Sequence, residues 1–179
     1  MLTQVASGRV YDWSHSVGGR DMGLAVTVAI GSGDYVYVLS RPTELIADVP
    51  WNRIGGNAKV GKFIIGMTPG DEKLVVEFGK YGNDNGEFIW PTGMALDSQE
   101  NVYVTDEWLS RVVVFDRDGD FMGSWGTKGT GEGEFNRPAG IAINLENDVF
   151  IVDSLNHRVQ RLTKDGRYLA EWGGYGHGP

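Results

Sequence analysis

Short apolar runs and turn residues alternate along most of the chain. In one stretch "TGMALD", "VYVTD", "RVVVF" and "FMGSW" follow one another, with "SQEN", "EWLS" and "DRDGD" near or between them. The runs are rich in β-branched and aromatic residues, and the gaps in Gly, Asp and Asn, which predicts an antiparallel meander of short strands. The Asp-Gly pairs at 118–119 and 165–166 supply the positive φ of a tight hairpin turn. No segment sustains a helical period.

This pattern repeats. Shifted by 47 positions, residues 79–125 fall on 126–172 without a gap, with 15 of 47 positions identical. The identities include Gly79, Glu87, Phe88, Pro91, Asp106, Arg111, Asp118, Gly119 and Trp125 and their partners Gly126, Glu134, Phe135, Pro138, Asp153, Arg158, Asp165, Gly166 and Trp172. Four strands at a spacing of about 40–50 residues predict an all-β chain, a β-propeller whose blades bury their faces against each other. A looser unit precedes these two. "GLAVTVAIGSGDYVYVLS" reads as its first two strands and "KFIIGMTPGDEKLVVEFG" as its last two. The predicted layout is a lone outer strand at 8–17, a blade at 18–79 interrupted by an insertion at 41–61, blades at 80–126 and 127–173, and a tail at 174–179. About three blades are half of a six-bladed ring, so the chain is expected to be one half of a longer propeller or to pair with a second copy.

Charge and composition narrow the function. The net charge is −8 and there is no basic run, which disfavours nucleic acid as a partner. The absence of cysteine excludes disulfides and thiolate chemistry. No secretory leader and no apolar run long enough for a bilayer span are visible, so no membrane is expected and the cytoplasm is the default compartment. Twenty-seven glycines without a triplet period fit a turn-rich fold rather than collagen.

"RPAGIAINLENDVFIVDSLNHRVQRLTKDGRYLAEWG" resembles an NHL repeat, and "WPTGMALDSQENVYVTDEWLSRVVVFDRDGDFMGSWG" resembles it slightly less closely. The resemblance implies six-bladed propellers. It also bears on His157, which invites a catalytic reading. In such repeats the Asp–Asn–His–Arg run turns the second strand into the third. Asp153, Asn156, His157 and Arg158, like Asp106 and Arg111, are therefore expected to be structural. NHL-like propellers include peptidyl-hydroxyglycine amidating lyases, whose zinc-binding histidines follow the proline that opens certain blades. Thr92 and Ala139 stand at those positions here, and neither can ligate zinc. The lyases' tyrosine also lacks a counterpart, whereas Arg41 matches an arginine they carry. His15 and His177 have no ligand spacing, and the acidic turns lack the oxygen density of a calcium loop.

The chain is accordingly read as a non-catalytic scaffold with no metal or cofactor, binding a protein or small molecule through the face formed by blade-entry loops and strand-two-to-three turns. Arg41, Trp51, Arg53, Trp90, Thr92, Trp108 and Arg137 are the candidate contacts, since exposed tryptophan and arginine are common interface anchors. Trp13, Trp125 and Trp172 recur on outer strands and are expected to pack. The alternative is a truncated or diverged metal-dependent propeller enzyme, lyase-like or lactonase-like.

Overall fold

The computed structural model describes residues 3–6, 9–12, 24–41, 58–66 and 71–176. Three four-stranded antiparallel meanders form successive blades. Blade 1 holds β3 (Leu24–Ile30), β4 (Tyr35–Arg41), β5 (Lys59–Ile64) and β6 (Lys73–Phe78). Blade 2 holds β9 (Pro91–Leu96), β10 (Val102–Asp106), β11 (Arg111–Phe115) and β12 (Phe121–Trp125). Blade 3 holds β15 (Pro138–Ile143), β16 (Val149–Asp153), β17 (Arg158–Leu162) and β18 (Tyr168–Gly173). The first strands of neighbouring blades, β3 with β9 and β9 with β15, pack together along the inner side. Before each of blades 2 and 3 the chain makes a two-residue parallel bridge: β7 (Lys80–Tyr81) with β8 (Glu87–Phe88), and β13 (Thr127–Lys128) with β14 (Glu134–Phe135).

Alternation along each strand gives every blade a near face toward the preceding blade and a far face toward the next. The first joint is one apolar cluster, with Tyr37, Leu39 and Val60 from blade 1 against Met94, Val102, Val104, Val113 and Phe115 from blade 2. The second sets Tyr103, Val112 and Val114 against Val149, Ile151 and Leu162. The bridges plug each joint with a fully buried ring, Phe88 and Phe135. Phe88 meets Phe115 edge-on at 5.7 Å, and Phe135 lies 6.2 Å from Trp125. Gly79 and Gly126 open these loops at φ +76 and +97, and a Cβ there would come within 2.2 and 2.6 Å of the phenylalanine ring. Both the backbone and the space require glycine, which accounts for two of the repeated identities.

Two sequence expectations need correction. The strand within 8–17 is not alone: β2 (Arg9–Asp12) pairs antiparallel with β1 (Thr3–Ala6). Four residues with only two apolar side chains had carried too little pattern to reveal β1. The insertion is also shorter than 41–61, because Arg41 ends β4 and Lys59 to Gly61 already pair in β5. Residues 42–57, with Trp51 and Arg53, lie outside the described residues, as do Trp13, His15 and His177.

The stack ends differently from its interior. At positions equivalent to the buried Thr105 and the half-buried Trp125 of blade 2, blade 3 has Val152, 43% exposed, and Trp172, 52% exposed. Trp172 stacks on Phe150 at 6.1 Å. On the near side of blade 1, Val28 and Ile30 are 56% and 72% exposed.

Candidate functional site

The end of each second strand, the turn that follows it, and the loop entering the same blade meet at one end of the blade. An aspartate ties them together in blades 2 and 3. Asp106 is fully buried, and its carboxylate accepts from the backbone amides of Ile89 (2.6 Å), Trp90 (3.2 Å), Trp108 (3.0 Å) and Leu109 (3.0 Å). Asp153, also fully buried, accepts from the Asn136 amide (2.7 Å), the Asn156 side chain (2.8 Å) and Arg158 Nε (2.9 Å). Buried charge is tolerated when it is satisfied in this way. Arg158 also reaches the Gly131 and Glu134 carbonyls and the Glu171 carboxylate. Arg111 makes the corresponding carbonyl contacts, to Asn83, Asp84 and Glu87. Blade 1 places Ser40 and Lys59 at these positions, with Ser40 Oγ donating to the Lys59 carbonyl.

His157 occupies the left-handed position of its turn, at φ 54, ψ 35, after a single 3-10 turn over Ser154–Asn156. Ser110 holds the same conformation at φ 53 in the blade before. The exposed His157 ring meets Tyr175 at 4.4 Å, and its carbonyl accepts from the Gly174 amide, so the tail folds back onto this turn. Among the described residues no three His, Asp or Glu side chains converge as a metal site.

Of the candidate contacts, Arg41, Trp90 and Arg137 fall along one line across three blades, and Trp108 lies beside it. The Arg41 guanidinium lies 4.7 Å from the centre of the Trp90 ring. Its Nε is buried with no acceptor among the described residues, and burial lowers its pKa from the ordinary value, offset in part by Glu107. Glu107, on the turn of blade 2, also pairs with Arg137 at the entry of blade 3 (2.9 Å). Trp108 is 39% exposed and lines a groove of about 110 Å³ with Glu107, Lys128 and Arg137. Arg137 is held at φ +57. Thr92 serves elsewhere: its hydroxyl lies 3.0 Å from the Pro138 carbonyl and 3.2 Å from the Thr105 hydroxyl, tying the inner strands of blades 2 and 3. Sequence reasoning missed Glu107 and Lys128. The only signal for Glu107 was that it differs from Ser154, its counterpart in the next unit.

Comparison with known proteins agrees with this architecture. Residues 92–171 match a family model described as 6-bladed beta-propeller. A stretch of 48 residues, 27% of this chain, is 40% identical to Protein lin-41 of Caenorhabditis elegans, of which it covers 4%. The described residues form three four-stranded blades of a partial β-propeller. Among solved structures it is similar to a streptogramin B lyase (16% identity, TM-score 0.48, covering 88% of this chain and 56% of that one). It is also similar to a calcium-binding protein, regucalcin, from Agrobacterium tumefaciens str. C58 (11% identity, TM-score 0.49, covering 83% and 44%). The segment thus spans about half the length of the solved structures it resembles. Among its described residues no helix is long and apolar enough to cross a membrane.

Proposed function

We propose that this propeller segment is a non-catalytic scaffold whose loop face binds an acidic, aromatic-containing protein segment. The observation that carries the reading is the line Arg41–Trp90–Glu107–Arg137, which places two cations and an indole from three blades on one surface of an otherwise acidic protein. Trp108 and Lys128 extend it along the groove. The Arg137–Glu107 pair is half-exposed, and such pairs contribute about 0–1 kcal/mol, so a ligand carboxylate can take the place of Glu107 at low cost. The tryptophans then supply the anchoring area that electrostatics alone lacks.

The test is an array of acidic peptides with interspersed aromatic residues, probed with the purified chain. Trp108→Ala and Arg137→Ala are expected to lower capture about tenfold each, whereas Leu145→Ala, at the opposite end of blade 3, leaves it unchanged. Equal capture by all three variants overturns the reading. So does stoichiometric retention of zinc or calcium by the purified chain, which moves the assignment to a metal-dependent enzyme.

The exposed apolar faces at the two ends of the stack support a second copy as a further partner. Light scattering then reads close to twice 19.6 kDa. A monomer at micromolar concentration removes that partner without touching the loop-face reading.

A further inference from the structure

The loops entering blades 2 and 3 hold equivalent places, but their turns are secured differently. In blade 3 the Gly133 amide donates to Gln160 Oε1 (2.9 Å). Its counterpart in blade 2 is the Gly86 amide, and Val113 stands where blade 3 has Gln160. Valine offers no acceptor, and the Gly86 amide makes no hydrogen bond among the described residues.

The residue before Gly86 is Asn85, where blade 3 has Glu132. Asn85 is exposed in the loop between β7 and β8, and its side chain has no hydrogen-bond partner among the described residues. Asparagine before glycine sets an electrophile beside a nucleophile: the side-chain amide carbon and the next backbone nitrogen. Asparagine is thermolabile for this reason, and glycine, lacking Cβ, leaves the nitrogen unhindered. A nitrogen held in a turn must first give up its bond. The two Asp-Gly turns, which could cyclise in the same way, are held so. Gly119 donates to the Asp116 carbonyl (3.1 Å) and Gly166 to the Thr163 carbonyl (2.9 Å).

A change in backbone length would be felt at this loop. Arg111 Nη2 reaches the carbonyls of Asn83 (3.3 Å), Asp84 (3.0 Å) and Glu87 (3.1 Å), on both sides of Asn85. The Glu87 amide returns to the Asp84 carbonyl (3.2 Å), and the Gly82 amide to the carbonyl of Phe88 (2.9 Å).

We propose that Asn85 is a site of spontaneous covalent modification, in which the Gly86 nitrogen displaces its side-chain amide and the resulting isoaspartate frees the loop from Arg111. The Gly86 nitrogen loses its proton and bonds to Asn85 Cγ. The Cγ–Nδ2 bond breaks, and Nδ2 leaves as ammonia with that proton. Water then opens the five-membered imide. Entry at the side-chain carbonyl gives aspartate, and entry at the main-chain carbonyl gives isoaspartate, whose chain runs one methylene longer. Nothing is oxidised or reduced, and water is the only co-reactant. The longer chain moves the Asp84 and Glu87 carbonyls apart, so one guanidinium nitrogen no longer meets both. The site is independent of the loop-face reading.

The experiment incubates the full chain in warm, mildly alkaline buffer and follows the tryptic peptide from Tyr81 to Arg111 by mass spectrometry. A gain of about 1 Da is expected, placed at Asn85 by fragmentation, with isoaspartate detected by enzymatic methyl transfer. The folded chain should react within about tenfold of the rate in urea, because the site needs almost no opening. In hydrogen exchange the Gly86 amide should exchange roughly tenfold or more faster than that of Gly133. Val113→Gln supplies the acceptor of blade 3 and is expected to slow the reaction several-fold. If that variant fails to fold, the two glycine amides of the wild-type chain carry the comparison. The purified isoaspartate form should melt about 2–4 °C below the fresh chain, and Asn85→Asp, with the charge but a normal backbone, should fall by less. Four results each overturn the proposal: reaction more than about tenfold slower in the folded chain, modification first at another asparagine, equal exchange of the two amides, or an unchanged midpoint.

Discussion

Asp106 and Asp153 stand 47 positions apart in the sequence and at the same point of two successive blades, and the two carboxylates are satisfied by different chemistry. In blade 2 four backbone amides converge on Asp106, and Arg111 goes past it to loop carbonyls, leaving its own Nε without an acceptor among the described residues. In blade 3 one backbone amide reaches Asp153, and the other donors are the side chains of Asn156, Arg158 and Gln160. The cause is local. The 3-10 turn of blade 3 directs the Leu155 amide, the counterpart of the Trp108 amide, to the Asn136 carbonyl, so it is not available to the aspartate. Polar residues then stand where blade 2 has Leu109 and Val113. A repeated acid can therefore keep its place while its partners are exchanged, and an identical residue pair need not be an identical interaction.

The largest effect is expected at Asp106. Asp106→Ala strips an acceptor from four amides at once and should cost about 4 kcal/mol or more, enough to leave much of the chain unfolded in a urea titration. Asp153→Ala should cost less, about 3 kcal/mol, because Arg158 keeps two carbonyls and Glu171. The sharpest contrast comes from double-mutant cycles on the two Asp–Arg pairs. Coupling of about 1–2 kcal/mol is expected between Asp153 and Arg158, and less than about 0.5 kcal/mol between Asp106 and Arg111. Equal couplings would mean that the two hubs work alike after all. Asn156→Ala, which loses bonds to Asp153 and to the Gly129 carbonyl, should cost about 1 kcal/mol.

The smallest effect is a pH dependence centred on Glu87, in the loop entering blade 2. The Asp84 amide and Lys80 hold the Glu87 carboxyl below the usual carboxylate range, and this folds the loop whose carbonyls receive Arg111. A depressed folded pKa gives stability that is present above the unfolded value and lost as pH falls through the folded one. Urea midpoints measured from about pH 6 down to about pH 3 should fall more steeply for the wild-type chain than for Glu87→Gln. Parallel curves would separate the loop from the hub.

The blades were legible in the sequence because period, turn residues and strand alternation all report on one unit at a time. The turn role of His157 could be read from Ser110, since both positions need the same backbone. What escaped was the fit between units. Glu107 became visible as a partner only once blade 3 set Arg137 beside it. Thr92, read as a surface contact, holds two inner strands together. The strand β1 was too short, and too weakly alternating, to be seen at all.

At the end of the stack opposite the loop face, Glu100 and Asn147 hold equivalent places in the first turn of blades 2 and 3, at φ +63 and +64. Each reaches back to a serine amide in the corresponding turn of the blade before, Glu100 to Ser32 (2.8 Å) and Asn147 to Ser98 (2.9 Å). Glu100 also accepts from the Tyr37 hydroxyl, and Asn147 donates to Ser98 Oγ. Blade 2 thus carries both the arm that grasps its predecessor and the socket that its successor will grasp. A gene segment encoding such a unit, once copied in tandem, would arrive with both halves of its own coupling, and the array could lengthen without first inventing a new contact.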